Sequence, residues 1–292
     1  MTKITLHPNV ANFIVRMDWN DSRGDLPGFS EELVRNYEAG KLILLGNAPF
    51  TIDFPLLNQV SLPEDSGVQK LSDKFLVYPK LYKPRVAKFM FENFAGRPLL
   101  YARFRREVRS VSGQIRSFLG SMFRGYRFAR RGVSWRFTRT GPESLHLDFF
   151  KPKGDFDYLR LFINIDEEPR VWSVTHQLEE LVARTWESAR LIDLMGAPPH
   201  VLTQHINNHL LYGLSHRPPE ETDRHVIEFA QGDVWLCESR TTPHQIISGR
   251  RMIATDFYVD PSSMRDPSRR VVARVERCMQ ACAERATMAG AA

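Results

Sequence analysis

His146-Leu147-Asp148 and, much later in the chain, Thr242-Pro243-His244 hold the residues of this sequence best suited to bind a metal ion. Strand residues at i and i+2 face the same way, so an extended segment presents His146 and Asp148 to a common point. A second imidazole from His244, brought alongside just before the last predicted strand, makes two histidines and one carboxylate on one face of a metal. That donor set suits Fe(II) and leaves three adjacent positions open, as chelation by a keto acid plus binding of O2 requires. His-x-Asp alone is a weak signal, because a histidine beside an aspartate is commonly just solvated. Its surroundings give it weight.

Gly232-Asp233-Val234-Trp235-Leu236 closes one predicted strand, a polar loop runs to His244, and Ser248-Gly249 opens another strand from Arg251 to Val259. Arg251 shares the parity of Ile253, Thr255, Phe257 and Val259, which reads as inward. An arginine at the mouth of a barrel can grip a carboxylate with two parallel hydrogen bonds, so Arg251 is expected to hold the far end of 2-oxoglutarate. Thr255 is placed to add a hydroxyl. Arg250 has the opposite parity.

Other elements must frame these residues. Val133, Trp135 and Phe137 alternate with polar neighbours as a half-buried strand, a turn follows at Gly141-Pro142, and Leu159–Ile165 forms another strand that ends at the turn-rich Asp166-Glu167-Glu168-Pro169. Residues 176 to 195 read as a helix stopped by Gly196, with a second over 198 to 212. Strands return at His225–Phe229 and Asp233–Cys237. Upstream, a helix starts near Phe29, Lys41–Leu45 is a strand and 83 to 95 a helix. A final helix carries Val271, Val275, Cys278, Met279 and Cys282 on one stripe. Strands bracketing a helical insertion predict an α+β fold: a double-stranded β-helix (jelly-roll, cupin-like) core with flanking and inserted helices. The expected unit is a single domain over 1–292, with N-terminal support and a basic segment in 1–132, the core in 133–259 with an insertion at about 176–212, and a C-terminal helix at 266–288.

The 292 residues are 42% hydrophobic, an ordinary globular balance. Three cysteines, Cys237, Cys278 and Cys282, argue against a disulfide framework, and neither a signal peptide nor a run of about 18 apolar residues is present, so a cytoplasmic protein is expected. The formal charge of +6 is local: from Arg103 to Arg139 there are eleven arginines against one acid, Glu107, interleaved with aromatics. This segment reads as an amphipathic basic surface, with Arg124, Arg127, Arg130, Arg131 and the nearby Arg160 as candidate contacts to an anionic partner. Arginine among aromatics also suits nucleic acid, but that reading leaves the triad unexplained, and no nucleic-acid partner is expected. A non-catalytic jelly roll binding an anionic glycan is the other alternative. His205 and His209 have zinc-ligand spacing on a helix but lack the glutamate that a metalloprotease places after the first histidine. No phosphate-binding glycine loop and no Gly-x-Ser-x-Gly elbow occurs.

The order His-x-Asp, distant His, then a basic residue on the next strand resembles the Fe(II)/2-oxoglutarate dioxygenase superfamily over about residues 133 to 259. The resemblance implies metal ligation by His146, Asp148 and His244 and oxo-acid anchoring by Arg251. The short interval from His244 to Arg251 departs from the usual pattern and keeps Arg250, Arg136 and Arg160 open for the anchoring role. Within that superfamily the chain is similar to the Kdo (3-deoxy-D-manno-oct-2-ulosonic acid) hydroxylases. The strings that carry this likeness are Ser144-Leu145-His146-Leu147-Asp148-Phe149-Phe150, Leu161-Phe162-Ile163-Asn164-Ile165-Asp166 with Pro169-Arg170-Val171-Trp172, and Ser239-Arg240-Thr241-Thr242-Pro243-His244-Gln245. It implies Fe(II), with 2-oxoglutarate and O2 as cosubstrates, and hydroxylation at C3 of a Kdo residue on a lipid A precursor, giving Ko. Such an anionic glycolipid implies peripheral contact with the anionic cytoplasmic leaflet of the inner membrane. Another 2-oxoglutarate oxygenase substrate is the nearer alternative.

Overall fold

Between Phe128 and Val259 apolar residues alternate along short strands, and each sheet these strands build is covered on the face where the alternation places them. The computed structural model describes residues 2–63, 66, 68, 70–138, 143–148 and 156–290. The expected turn at Gly141-Pro142 lies outside these residues, as do Arg139, Phe149 and Phe150. The described strands are β1 (Lys3–Thr5), β2 (Ile14–Asp18), β3 (Leu42–Gly46), β4 (Leu71–Ser72), β5 (Phe128–Phe137), β6 (Asp157–Asn164), β7 (Arg170–Val174), β8 (His225–Phe229), β9 (Val234–Cys237), β10 (His244–Ser248) and β11 (Arg251–Val259). They form one sheet in the order β1-β8-β7-β10 and a larger one in the order β2-β3-β9-β6-β11-β5-β4. From β5 onward the chain weaves between the two: β5, β6, β9 and β11 lie in the larger sheet, and β7, β8 and β10 in the smaller. His146 pairs with His244 on the free side of β10.

Side chains between the sheets include Phe162, Trp172, Phe229, Trp235, Ile246 and Met252. The other face of the larger sheet is covered by helices, chiefly Pro98–Met122. That long helix corrects the expectation of one basic surface segment over 103 to 139. Its buried Phe104, Val108, Val111, Ile115, Phe118, Leu119 and Met122 recur every three or four residues and pack on the sheet, while Arg103, Arg105, Arg106 and Arg109 point to solvent. Each such apolar side chain contributes about 1.5–3 kcal/mol on burial. Of the arginines beyond the helix, Arg130, Arg131 and Arg136 belong to β5.

The helical insertion is more broken than its pattern predicts. The first helix, Leu178–Thr185, ends well before Gly196, with Arg190 in the left-handed region. A helix at Pro199–Ile206 then passes into a π-helical turn at Asn207–Leu211. Together with the final helix, Val271–Gly290, this insertion buries Leu145, Leu147 and Trp186 in a core of its own.

The loop from β9 to β10 is anchored by charge. Arg240 is 2% exposed, and it pairs with Asp157 at 2.6 Å and with Glu238 at 3.0 Å. Arg240→Ala leaves two buried carboxylates without their cation and is expected to cost about 3–5 kcal/mol. A lowered urea midpoint with unchanged slope checks this.

Candidate metal centre

His146 and His244 sit directly opposite one another, each backbone N–H donating to the other's carbonyl at 3.0 and 2.9 Å. That pairing brings the two imidazoles to 4.6 Å between ring centres. Two residues on, the Asp148 carboxylate falls on the same side, with Oδ1 3.9 Å from His146 Nε2. One ligand atom from each of the three lies within 4.8 Å of the others. A single ion can therefore touch all three with small adjustments.

The surroundings decide which atoms face it. His146 Nδ1 is 2.6 Å from the Ser144 carbonyl and His244 Nδ1 is 3.0 Å from the Thr242 carbonyl. A carbonyl only accepts, so both Nδ1 atoms carry the proton and both Nε2 lone pairs are left for a metal. The His244 ring also stacks on Trp172, 4.9 Å away. Burial, and then the neighbouring His146, lower its pKa to about 4, so it is neutral at pH 7. At Asp148, burial acts to raise the pKa, but Arg160, His244 and the Ser239 hydroxyl outweigh it and hold the group at about 2. Arg160 and Ser239 both bond Oδ2, the former at 3.0 Å. Oδ1 remains for the metal.

Asn207 supports the ligand strand from outside. Leu147, between the two ligands, turns its backbone away from β10, where no further strand lies among the described residues. The Asn207 carboxamide takes that place: Leu147 N–H donates to Oδ1 and Nδ2 donates to the Leu147 carbonyl, both at 2.9 Å. Ser215 Oγ accepts from Leu145 N–H at 2.7 Å. Asn207 stands at the start of the π-helical turn, and such widened turns recur at functional sites. Asn207→Ala strands two buried backbone groups. It is expected to lose about 1–3 kcal/mol of stability and about 10–100-fold in metal affinity, read by titrating the folded apoprotein with Fe(II) under anaerobic conditions.

The residues expected to anchor the oxo-acid are not brought to this site. Arg251 donates from Nη1 to Asp166 at 2.6 Å, from Nε to the Val60 carbonyl at 2.9 Å and from Nη2 to the Asn58 carbonyl at 3.1 Å. Arg250 shares Asp166, at 2.8 Å. Thr255 accepts from Leu161 N–H at 2.7 Å inside the larger sheet. Arg251 shares the parity of Ile253, Phe257 and Val259, but that parity faces the helices and not the space between the sheets. Ile253, Phe257 and Val259 pack in the helix-covered core, whereas Met252 and Ala254 face between the sheets. A sheet buried on both sides gives no polar face to distinguish them.

Arg170 on β7 does point between the sheets, sharing the parity of Trp172 and Val174. Its side chain is fully buried, and Nε, Nη1 and Nη2 all lack a hydrogen-bond partner among the described residues. Burial, and then the nearby Arg136, pull its pKa down to about 9. Arg136 itself reaches Glu143 at 3.4 Å. Gly249, at φ 150°, gives Arg170 room, since a Cβ there would lie 2.7 Å from Nη1. A buried guanidinium with no partner calls for an anion.

The family model for 3-deoxy-D-manno-oct-2-ulosonic acid (Kdo) hydroxylases matches residues 215–282. Among solved structures, the chain is similar to KdoO, a non-haem Fe(II) α-ketoglutarate-dependent Kdo hydroxylase, in complex with α-ketoglutarate and Fe(III). The TM-score is 0.61 at 14% identity, over 91% of this chain and 96% of that one. The cobalt(II) complex gives 0.59 at 14% identity and the complex with succinate and Fe(III) gives 0.57 at 16%, with the same coverage. This chain resembles the Kdo hydroxylases. At such identities the structures establish a shared fold. No curated protein matches the sequence significantly.

Of the other predicted site residues, Arg160 lies at the candidate metal centre, bonded to Asp148 and 3.6 Å from Asp256. Arg130 stands over the Tyr258 ring, which in turn stacks on Tyr158. Arg131 lies over Phe128. Arg127 is tied to Asp260 at 2.9 Å and to Ser262 at 2.6 Å, which gives it a structural role, and Arg124 lines a separate cavity with Tyr126 and Arg265. His205 and His209 approach to 4.4 Å between rings but gain no third ligand among the described residues. Sequence reasoning missed Arg170, Ser239 and Asn207. The Pro169-Arg170-Val171-Trp172 string was the available signal for Arg170, because Arg170 and Trp172 share one face once that string is read as a strand.

Proposed function

We propose that this chain is an Fe(II)- and 2-oxoglutarate-dependent dioxygenase on a double-stranded β-helix core, and that it hydroxylates Kdo at C3 on a lipid A precursor. The observation that carries the reading is a set of two imidazoles and one carboxylate with ligand atoms within 4.8 Å, in the same two-sheet interior as an unpartnered buried guanidinium. The donor set fits Fe(II), and the orphaned Arg170 fits the distal carboxylate of a five-carbon diacid. The family match over 215–282 and the fold shared with KdoO support this choice of cofactor and cosubstrate.

His146, Asp148 and His244 would hold the metal on one face. Fe(II) together with the keto acid supplies the oxygen chemistry, converting C–H to C–OH as 2-oxoglutarate and O2 become succinate and CO2. Arg170 fixes the diacid by charge and fork geometry, with Arg136 adding positive field. Arg160 keeps Asp148 ionised and its ligating oxygen oriented. Trp172 restricts the His244 ring and keeps water from that side. At the rim, Tyr158, Tyr258 and Arg130 form an aromatic and cationic wall, to which we assign the sugar and its carboxylate.

Among the described residues no helix is long and apolar enough to cross a membrane. The lipid-borne substrate would be met at the anionic cytoplasmic leaflet. The test is anaerobic loading with Fe(II) and 2-oxoglutarate, then O2, with mass analysis of a Kdo-bearing lipid A precursor. One added oxygen with matching succinate is expected. Succinate without oxygenated product moves the substrate elsewhere, and failure to bind Fe(II) ends the reading.

A further inference from the structure

A second surface is unlike the rest of the protein. Of the ten large apolar side chains that stand exposed among the described residues, five fall in one stretch: Tyr78, Leu81, Tyr82, Phe91 and Leu99. Single exposed apolar residues are normal, but a cluster marks a partner. Tyr82 is 76% and Leu99 81% exposed, so neither belongs to the folded core.

The charge around them has one sign. Between residues 74 and 99 the chain carries Lys74, Lys80, Lys83, Arg85, Lys88 and Arg97 against the single acid Glu92. Lys83 lies over both the Phe75 and Tyr82 rings, and Arg109 donates to the Tyr78 hydroxyl at 3.0 Å, so cations and rings share one surface instead of occupying opposite sides. Beside the loop a cavity of about 470 Å³ is lined by Phe75, Pro84 and Val86 together with Lys70, Lys83 and Arg85. Apolar and cationic side chains around one cavity suit an amphiphile with an anionic head.

We propose that the surface formed by the loop Tyr78–Lys83 and the exposed side of the helix Pro84–Phe94 docks onto an anionic lipid bilayer. Tyrosines belong at the boundary between headgroups and hydrocarbon, Leu81 is apolar enough to enter below it, and each flanking lysine or arginine adds attraction to an anionic leaflet. A nucleic acid would use the cations and rings but gains little from Leu81. This surface shares no residue with the candidate metal centre or with Arg124, Arg127, Arg130 and Arg131, and its role does not depend on the sugar assigned above.

The experiment is flotation of the full chain with phosphatidylglycerol vesicles and, separately, with phosphatidylcholine vesicles. Wild type is expected to float with the first in a salt-sensitive way and not with the second. L81S combined with Y82S, and independently K80E combined with R85E, are each expected to weaken binding about tenfold or more. Circular dichroism and Fe(II) binding stay unchanged, because all four side chains are exposed or at the surface. Wild-type binding by both variants, or equal binding to the two kinds of vesicle, overturns the proposal. So does tight oligonucleotide binding, or a dimer dissociated by the same substitutions, if wild type fails to float.

Discussion

Arg170→Met is expected to act in opposite directions on the empty and the loaded protein. Without ligand the guanidinium is buried with all three nitrogens unbonded among the described residues, so its replacement by an unbranched apolar side chain removes a desolvated charge. Such exchanges are commonly neutral or stabilising by about 1–4 kcal/mol, and the melting temperature without ligand is expected to hold or rise. With 2-oxoglutarate present the sign reverses, because the variant loses a charge-assisted fork worth about 2–5 kcal/mol, roughly a 30-fold to several thousand-fold rise in the 2-oxoglutarate requirement. Stabilisation by added 2-oxoglutarate, which follows from its affinity, disappears with it.

The pH dependence of the empty protein has a determined sign. Arg170 has its pKa lowered to about 9 in the fold, below its unfolded value, so above that pH the unfolded chain binds more protons than the folded one. Stability contributed by this position therefore rises as pH climbs through 9, and the penalty is fully present at neutral pH. Arg170→Met removes that rise. Arg251→Ala behaves otherwise: Asp166, which Arg250 and Arg251 share, loses one of its two cations, so stability falls while the 2-oxoglutarate requirement stays as it was. Thermal melts of the three proteins, with and without 2-oxoglutarate, separate these outcomes.

Asp148→Ala is expected to reduce metal binding and substrate-dependent succinate release to background. The carboxylate supplies the only negative charge among the three candidate ligands, and among the described residues its removal leaves Arg160 with Asp256, at 3.6 Å, as its ion-pair partner. His146→Ala and His244→Ala are expected to match it in turnover. Ser239→Ala provides the scale: it deletes a hydrogen bond to Oδ2 without touching the ligand oxygen, and an outer partner of this kind is worth about 10–100-fold in metal affinity. Metal titration and succinate assays on the four folded variants check the order.

The convergence of His146 and Asp148 was legible in the sequence because strand geometry alone ties i to i+2; His244, expected just ahead of the last strand, instead opens a strand of its own, β10, and it is the pairing with His146 that brings it to them. Strands β8 and β11 were read to the residue, since turn residues bound them. The strand β7 was hidden behind Asp166-Glu167-Glu168-Pro169, and with it Arg170. The long helix was hidden too: arginines fill the positions between its apolar residues, so charge drew attention away from a regular three-and-four spacing. Asn207 was out of reach because its role is long-range, a carboxamide in place of a neighbouring strand. Arg251 was misplaced by a rule that fails when both faces of a sheet are dry.

The most direct measurement is anaerobic titration of the Fe(II)-loaded protein with 2-oxoglutarate, following the visible absorption that a keto acid develops on chelating Fe(II). One equivalent of each is expected to bind, the band to be absent in Asp148→Ala, shifted to far higher 2-oxoglutarate in Arg170→Met, and unaltered in Arg251→Ala. A full-strength band in Asp148→Ala, or one indifferent to Arg170 and dependent on Arg251, contradicts the site described.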